Sequence, residues 1–291
     1  MAIRIGVVGT GHWATIVHTV GIGATPGARL AGIWGRDRDK ALALAQARGT
    51  TAFARFEDML AQVDAVSFAV PPDVQETLAL QALAAGKHVL LEKPIATSHA
   101  AAQAIAAAAK HASLASIVFF TRRFMPEVTT AIEAHAGRPW RRAEIEIRSA
   151  ALAAGSPYEH SAWRRAANGA LWDVGPHILS VLIAMLGPVT RATRLDAEPG
   201  DARFRTEHAR GAIATAHVTL RAAPTEVRLR YAFADDAGEF VLPEPTTDRA
   251  VIHARATAAL VSAITSGNHA HPCDVDLGVE TVRILETIER G

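Results

Sequence analysis

The first 120 residues carry short, nearly continuous apolar runs that alternate with longer segments of mixed character. Apolar runs of this length, bounded by glycine and proline, are typical of strands buried on both faces of a parallel sheet. The mixed segments between them are long enough for the helices that cover such a sheet. The strand candidates are 3–8, 29–34, 65–70, 88–91 and 114–120. We therefore predict an α/β fold whose N-terminal domain, residues 1–121, is a doubly wound parallel sheet.

In the second part of the chain the pattern changes from continuous to alternating. Within 141–149, Ala143, Ile145 and Ile147 share one side of an extended chain, and charged residues occupy the other side. This alternation predicts strands with one face in the core, as in an open and mostly antiparallel sheet. Three more strand candidates (189–195, 211–221 and 226–233), a helix from about Pro176 to Leu186 and a final helix at 275–290 complete the pattern. We assign 122–291 to a C-terminal α+β domain, with the last helix able to pack back on the first domain.

Composition limits the class of protein. Thirty basic and 29 acidic side chains give a net charge of +1, so we expect neither a nucleic-acid nor a membrane partner. The single cysteine, Cys273, favours a reducing compartment. A strand directly after the N-terminus leaves no room for a signal peptide, and the uncharged stretch 94–109 is too polar to span a bilayer. We expect a cytoplasmic protein. The free face of its C-terminal sheet predicts a homodimer or homotetramer.

A glycine turn follows the first strand and is the first candidate for chemistry. Gly9 can take a positive φ, and Gly11 has no Cβ that would block a pyrophosphate from approaching the backbone. Ala14 is small enough for the next helix to pack close to the strand. The free N–H groups of that helix then face the phosphates. We predict a dinucleotide site here, although glycine turns also occur in loops that bind nothing.

The end of the second strand, Gly35-Arg36-Asp37, bears on the choice of cofactor. A small residue followed by arginine leaves room for a 2′-phosphate and supplies it with a cation, whereas an acidic residue at the tip favours NAD. We expect Asp37 to cap the following helix. The pattern therefore favours NADP over NAD and leaves NAD open.

Three residues are candidates for catalysis. Lys93 comes directly after an apolar strand, where ligands lie in open parallel sheets, so its ammonium is expected to reach the cleft. Asp173 and His177 lie four residues apart and share one face if their segment is helical. An aspartate that orients an imidazole is a common arrangement for acid–base catalysis. The alternatives are a solvated Lys93 paired with Glu92, a helix-capping Asp173 and a core His177.

These segments together resemble the glucose-fructose oxidoreductase/inositol dehydrogenase/rhizopine catabolism family over almost the whole chain. The matching motifs are Gly9-Thr10-Gly11, Asp64-Ala65-Val66, Val70-Pro71-Pro72, Ala85-Gly86-Lys87-His88-Val89, Leu91-Glu92-Lys93-Pro94 and Gly169-Ala170-Leu171-Trp172-Asp173-Val174-Gly175-Pro176-His177. The resemblance implies a Rossmann domain, a C-terminal domain on an open sheet, and hydride transfer between a nicotinamide and a carbinol carbon of a sugar or cyclitol. The chain departs from the pattern at Gln75, where a histidine is common, and in a shortened glycine run before Gly169.

The resemblance also implies roles for individual residues. Lys93 would contact the reacting oxygen and the nicotinamide ribose, His177 would be the general acid/base, and Asp173 its partner and a substrate ligand. Arg123, Trp163 and Arg164 match positions that line the substrate cleft. The residues assigned to the cofactor are Gly9, Thr10, Gly11, His12, Trp13, Gly35, Arg36, Val70, Pro71, Glu92 and Lys93.

Other functions fit the same residues. One alternative is an epimerase or glycosidase that uses the cofactor transiently, and another is a nucleotide-binding sensor without catalysis. The segment with His269, His271, Cys273, Asp274 and Asp276 contains possible metal ligands. Its spacing matches no closed zinc pattern. We therefore expect no metal there, and a loop in which Asp274 caps the last helix.

Overall fold

A computed structural model describes all residues from 1 to 291. The chain forms two compact units. Unit 1 comprises Met1–Phe124 and Thr247–Val282, and unit 2 comprises Met125–Thr246 and Arg283–Gly291. The domain boundary predicted after residue 121 stays a prediction.

The core of unit 1 is a parallel sheet of five strands in the order β2-β1-β3-β4-β5. The strands are β1 (Ile3–Val8), β2 (Ala28–Trp34), β3 (Ala65–Phe68), β4 (His88–Leu91) and β5 (Ser116–Val118). Every residue of β3 and β5 is buried, as expected for strands covered on both faces. The predicted doubly wound parallel sheet is therefore confirmed, although β5 is shorter than the predicted 114–120.

Helices connect these strands, and most of them begin and end at residues with a physical reason to be there. A single π-helical turn, Ala14–His18, leads into α1 (Thr19–Gly23). The other helices are α2 (Arg38–Arg48), α3 (Phe56–Leu60), α4 (Pro72–Ala84), α5 (His99–His111) and α9 (Arg249–Ser266), with a 3₁₀ turn at Thr121–Phe124. Asp37 caps α2 by accepting a hydrogen bond from the Lys40 N–H, and Gly49 ends it at a φ of 63°.

Unit 2 is built on a mixed, mostly antiparallel sheet of six strands in the order β11-β10-β6-β9-β8-β7. Its strands are β6 (Arg142–Arg148), β7 (Val189–Leu195), β8 (Ala202–His208), β9 (Ile213–Thr219), β10 (Arg228–Asp235) and β11 (Gly238–Val241). Ala143, Ile145 and Ile147 are buried, so the predicted alternation in β6 is confirmed. The pairing of β6 with β9 is parallel.

The buried face of this sheet is covered by α8 (Gly169–Leu186), which contacts β8 and β9. Helix α6 (Pro126–His135), the short α7 (Ala162–Arg165) and a 3₁₀ turn at Pro224–Glu226 also belong to unit 2. Helix α10 (Val275–Glu289) begins in unit 1 and ends in unit 2.

The prediction that α8 starts near Pro176 is wrong, because the helix begins two turns earlier and contains the proline. Proline removes one N–H donor from a helix interior, which made it a plausible start in the sequence. The structure also has four strands and helices that the sequence did not indicate, namely β8, β11, the short α7 and α9. Helix α8 is long and apolar enough to cross a membrane, but 78% of it is buried inside the protein. Burial of this extent is typical of a core helix.

Candidate functional site

The glycine turn and Lys93 belong to the same edge of the parallel sheet. Gly9 follows β1, Val70 and Pro71 come just after β3, and Lys93 comes just after β4. The three strands are direct neighbours in the sheet, and all of them are parallel. Their carboxyl ends therefore meet at one edge, where ligands of open α/β sheets lie. The Lys93-Pro94 peptide bond is cis.

A groove of about 570 Å³ opens at this edge. Its lining includes seven of the residues assigned to the cofactor. The lining residues are Gly9, Thr10, Gly11, Trp34, Gly35, Arg36, Asp37, Lys40, Ala69, Val70, Pro71 and Val74. The volume is within the range of small-molecule sites, roughly 300–1,000 Å³. His12 and Trp13 belong to the first helical turn, in which the Thr15 N–H donates to the Gly11 carbonyl.

The glycines of the groove differ in the space around a Cβ built on them. Gly9 has a φ of 123°, and a Cβ built there would lie 2.5 Å from the Ala69 carbonyl oxygen. A Cβ at Gly35 would lie 2.6 Å from Cγ2 of Thr10. Gly11 has no heavy atom within 4 Å of a built Cβ, so open space lies directly over its backbone. This space fits a dinucleotide whose phosphates approach the chain closely at Gly11.

The charged residues at the end of β2 are not equivalent. The Asp37 carboxylate accepts from the Lys40 N–H at 3.1 Å and pairs with the Lys40 ammonium at 3.1 Å. These two contacts, led by the hydrogen bond from the backbone, lower the pKa of Asp37. The predicted cap is thus observed. Arg36 is exposed and has no hydrogen-bond or ion-pair partner.

Glu92 joins the glycine turn to the lysine segment. Its Oε1 accepts from the Trp13 indole N–H at 2.6 Å and lies 3.1 Å from Nε2 of His18. Its Oε2 accepts from the Lys93 N–H at 3.2 Å. The other ring nitrogen of His18 lies 2.9 Å from the Ser67 hydroxyl. Since a carboxylate only accepts, we assign the proton of neutral His18 to Nε2 and let Ser67 donate to Nδ1.

Gln75 replaces the histidine expected from the family pattern and is fully buried. Its amide oxygen accepts from the Glu92 N–H at 2.8 Å, and its amide nitrogen donates to the Glu92 carbonyl at 2.8 Å. The same nitrogen lies 3.3 Å from the Pro94 carbonyl and 3.2 Å from that of Ile95. Gln75 therefore fixes the backbone on both sides of Lys93. The sequence shows the departure but does not reveal this role directly. The one available signal is spacing, because Gln75 precedes Ala79 and Ala82 by four and seven residues and so shares their face of α4.

Two fully buried histidines lie beneath this network. The His18 and His253 ring centroids are 4.2 Å apart, and Nε2 of His253 has no hydrogen-bond partner. Burial lowers the pKa of His18 to about 3 and lowers that of His253 well below its ordinary value. Both rings are therefore neutral at neutral pH.

We expect the free energy of unfolding to fall as the pH drops below about 6.5. Unfolded histidine binds a proton near pH 6.5, whereas His18 in the folded protein does so only near pH 3. Between these values the unfolded state holds more protons, so acid favours unfolding by up to about 1.4 kcal/mol per pH unit for each such histidine. Urea unfolding at pH 7.5, 6 and 5 measures this slope.

Two matched variants separate the contribution of the buried histidines to this pH dependence from that of the other titratable groups. His253→Asn keeps a hydrogen-bonding atom near Nδ1, which faces Thr257 at 3.2 Å, but does not titrate. Its stability should depend less steeply on pH than that of the wild type. His111→Asn changes an exposed histidine and should retain the wild-type slope. Equal slopes in all three proteins would contradict the assignment.

Asp173 and His177 both lie inside α8, one turn apart on the same face. The capping alternative for Asp173 is wrong, because the residue before the helix is Asn168. Asp173 is largely buried. Its carboxylate accepts two hydrogen bonds from the Arg164 guanidinium, at 2.9 Å (Nε to Oδ2) and 3.4 Å (Nη2 to Oδ1). The backbone carbonyl of His177 accepts from the Ser180 hydroxyl at 2.9 Å. The arrangement places a carboxylate that is paired with a cation one helical turn before an imidazole.

The remaining candidates belong to different units. Arg123 lies in the 3₁₀ turn of unit 1. Burial lowers the pKa of His271, and the charge of Arg123 lowers it further. Trp163 and Arg164 form part of α7 in unit 2. Asp274 caps α10 by accepting from the Asp276 N–H at 2.9 Å, as predicted. No group of three or more possible ligands in the chain has a geometry that could hold a metal ion.

Residues 3–120 match the model of the Gfo/Idh/MocA family, an oxidoreductase family with an NAD-binding Rossmann fold. These residues belong to the Gfo/Idh/MocA family. They form an NAD(P)-binding Rossmann domain, as the glycine groove indicates. The family named from sequence motifs is confirmed.

Two relatives with assigned activities match somewhat less than half of this chain. UDP-N-acetylglucosamine 3-dehydrogenase of Acidithiobacillus ferrooxidans is 30% identical over 137 residues, 47% of this chain and 43% of that protein. Inositol 2-dehydrogenase of Corynebacterium glutamicum is 37% identical over 131 residues, 43% of this chain and 39% of that protein. The matched regions of the curated relatives span about half of their length.

Solved structures resemble the Gfo/Idh/MocA chain over its whole length. GenD2 from gentamicin A biosynthesis, in complex with NAD, has a TM-score of 0.86 at 23% identity, covering 99% of this chain and 93% of that one. Levoglucosan dehydrogenase, in complex with NADH and levoglucosan, has a TM-score of 0.84 at 17% identity, with coverages of 100% and 97%. At these identities the likeness establishes the fold, including the open C-terminal sheet.

Proposed function

We propose that this protein is an NAD(P)-dependent oxidoreductase that acts on a CH–OH or carbonyl carbon of a sugar, cyclitol or related small molecule. The observation that carries the proposal is the shared sheet edge, where the glycine groove and the Lys93 segment follow neighbouring parallel strands. A lysine beside a dinucleotide groove can hold the oxygen of a reacting carbinol. The names of the relatives, a nucleotide-sugar dehydrogenase and an inositol dehydrogenase, support the substrate class.

Lys93, His177 and Asp173 each have one role in the proposed reaction. The Lys93 ammonium donates a hydrogen bond to the substrate oxygen and favours its negative charge in the transition state. The His177 imidazole takes the hydroxyl proton, and Asp173 keeps the imidazole oriented. When bound, the nicotinamide cofactor accepts or supplies the hydride. Gly9, Thr10, Gly11, His12, Trp13, Gly35, Arg36, Val70, Pro71, Glu92 and Lys93 are the residues proposed to hold it.

The test is an assay of nicotinamide absorbance with a panel of inositols, hexoses, hexonates and nucleotide sugars. A change in absorbance proportional to substrate and enzyme supports a dehydrogenase. Product formation with no net change in cofactor would indicate transient use in epimerisation or glycoside cleavage. Nucleotide binding without any product, across the whole panel, would contradict the enzyme and favour a sensor.

We further propose that NADP is preferred over NAD. Arg36 lies in the lining of the groove, beside Gly35, and has no partner inside the protein. Asp37, the carboxylate that would otherwise bond the ribose hydroxyls, is engaged by Lys40. A free guanidinium next to an occupied carboxylate favours a 2′-phosphate over a bare ribose.

Arg36→Ala is expected to raise the KM for NADP(H) by about tenfold or more, because a hydrogen bond to a charged group contributes about 1.5–3 kcal/mol. The KM for NAD(H) should change by less than about twofold. Arg38→Ala, which removes an exposed arginine outside the groove lining, is the matched control and should alter neither value. Equal changes for the two cofactors would mean that Arg36 does not read the phosphate.

A homodimer or homotetramer through the six-stranded sheet is also proposed. The face of the sheet opposite α8 carries a groove of about 790 Å³, with charged residues of both signs, among them Glu144, Glu146, Arg203 and Arg230. Mixed charges of this kind can pair with the same surface of a second copy.

A further inference from the structure

We infer that Arg164 is a positioning residue for Asp173 and not a ligand of the substrate. The inference rests on the proposed function, because it concerns how the proposed acid–base pair is held. Arg164 Nε lies 2.9 Å from Oδ2 of Asp173, and Nη2 lies 3.4 Å from Oδ1. Both oxygens of the carboxylate therefore face one guanidinium in a fork, which fixes direction as well as distance.

Two aromatic rings hold the guanidinium in turn. Its carbon lies 4.3 Å from the ring centroid of Tyr158 and 4.3 Å from that of Trp163. Arg164 Nη1 also lies 3.4 Å from the Ser161 hydroxyl. Contacts between a cation and aromatic faces stabilise and restrict a side chain that is otherwise flexible. Few rotamers therefore remain for Arg164, and those keep it on Asp173.

The backbone explains how α7 comes so close to α8. A Cβ built on Gly169 would lie 2.1 Å from the Arg164 carbonyl oxygen, and the Gly169 N–H donates to the Ala166 carbonyl at 2.9 Å. Only glycine allows this approach, which places Arg164 beside the first turns of α8. The side chains of Arg164 and Asp173 are only 18% and 12% exposed, so water screens their pairing weakly.

This arrangement differs from what a substrate ligand would show. A guanidinium that directs Nε, Nη1 and Nη2 to side chains of the protein has two of its five N–H donors left for a small molecule, and its shortest contact is with Asp173. Its effect on catalysis would pass through Asp173, which in the proposed mechanism orients His177. Removing it would leave a largely buried carboxylate without this cation, and such a carboxylate protonates more readily.

Three variants and two measurements test the inference. Arg164→Met keeps the length and apolar stem without the charge, Arg164→Lys keeps the charge without the fork, and Arg165→Gln removes the neighbouring exposed arginine as a control. The first measurement is the pH dependence of kcat and KM. The second follows the Asp173 carboxyl by ¹³C NMR without substrate, with its resonance assigned by its loss in Asp173→Asn.

For Arg164→Met we expect a fall in kcat of at least about tenfold, and a shift of about one pH unit upward in both the acid limb of kcat and the Asp173 titration. Arg164→Lys should return both titrations most of the way to their wild-type positions but should recover only part of kcat. It also provides the test if Arg164→Met folds poorly. Arg165→Gln should behave as the wild type. A higher KM in Arg164→Met, with kcat and the Asp173 titration unchanged, would overturn the inference and make Arg164 a substrate ligand.

The NMR titration separates this inference from the proposed function. If the wild type transfers no hydride to any substrate of the panel, the proposed function fails. The Asp173 titration in the wild type and Arg164→Met still tests the positioning, because it requires neither cofactor nor substrate. An unchanged titration in an active enzyme would refute the positioning role alone.

Discussion

Replacement of His177 by asparagine is expected to lower kcat by about 10²- to 10⁴-fold, the range that a positioned general acid/base contributes. Lys93→Met should cause a loss of similar size, because it removes the cation that favours charge on the substrate oxygen. Both changes act on the chemical step. The dissociation constant of NADPH should change by less than about threefold in His177→Asn and should rise further in Lys93→Met, because Lys93 is also proposed to hold the cofactor. Stopped-flow hydride transfer and fluorescence titration with NADPH measure the two quantities separately.

Controls for these variants come from one exposed pair of residues. Lys110→Met and His111→Asn make the same chemical changes at the end of α5, where Lys110 pairs only with Asp276 and His111 is exposed. Both should retain wild-type kcat. Full activity of Lys93→Met or His177→Asn would refute the acid–base assignment, although the protein would remain an oxidoreductase if hydride transfer persisted.

Alanine at Gly9 and at Gly11 is expected to give opposite phenotypes. In Gly9→Ala the new methyl meets the Ala69 carbonyl oxygen at 2.5 Å, at a φ of 123° that side chains rarely adopt. We expect a loss of about 2 kcal/mol or more in the free energy of unfolding. In Gly11→Ala the methyl enters open space, so the stability should stay within about 0.5 kcal/mol of the wild type.

NADPH binding by these variants tests whether the space over Gly11 is occupied by the pyrophosphate. We expect Gly11→Ala to weaken NADPH binding by about tenfold or more, because the methyl occupies the position where a pyrophosphate approaches the backbone. Gly23→Ala, at the end of α1 and also without a neighbour within 4 Å of the built Cβ, is the control and should bind NADPH normally. Undiminished NADPH binding by folded Gly11→Ala would place the dinucleotide elsewhere.

Local features of the chain could be read from the sequence because their causes are local. The strands of unit 1 are continuous apolar runs, and the Asp37 cap and the Gly49 end of α2 follow from the conformations that these side chains favour. The alternation in β6 identified a half-buried strand for the same reason. The motifs around Lys93 and Asp173 were sufficient to identify the family.

Elements were missed where local signals are weak. Strand β8 buries Thr206 and His208 alongside Phe204, so its buried face contains polar residues and its alternation is obscured. Helix α9 is rich in alanine, and its polar residues are spread around the helix, including His253 on the buried side. In both, burial is decided by the partner element, which the segment itself does not specify.

The glycine turn, the parallel sheet that presents it and the residue types available for acid–base chemistry can be read from the amino-acid sequence alone. Three contacts follow only from the folded chain: Glu92 accepts from Trp13, 79 residues away, Gln75 fixes the backbone around Lys93, and Arg164 faces Asp173. Turns and caps depend on the conformational preferences of a few neighbouring residues. Buried hydrogen bonds between distant segments depend on how the whole chain packs, because a buried polar group takes whichever partner the fold brings within reach.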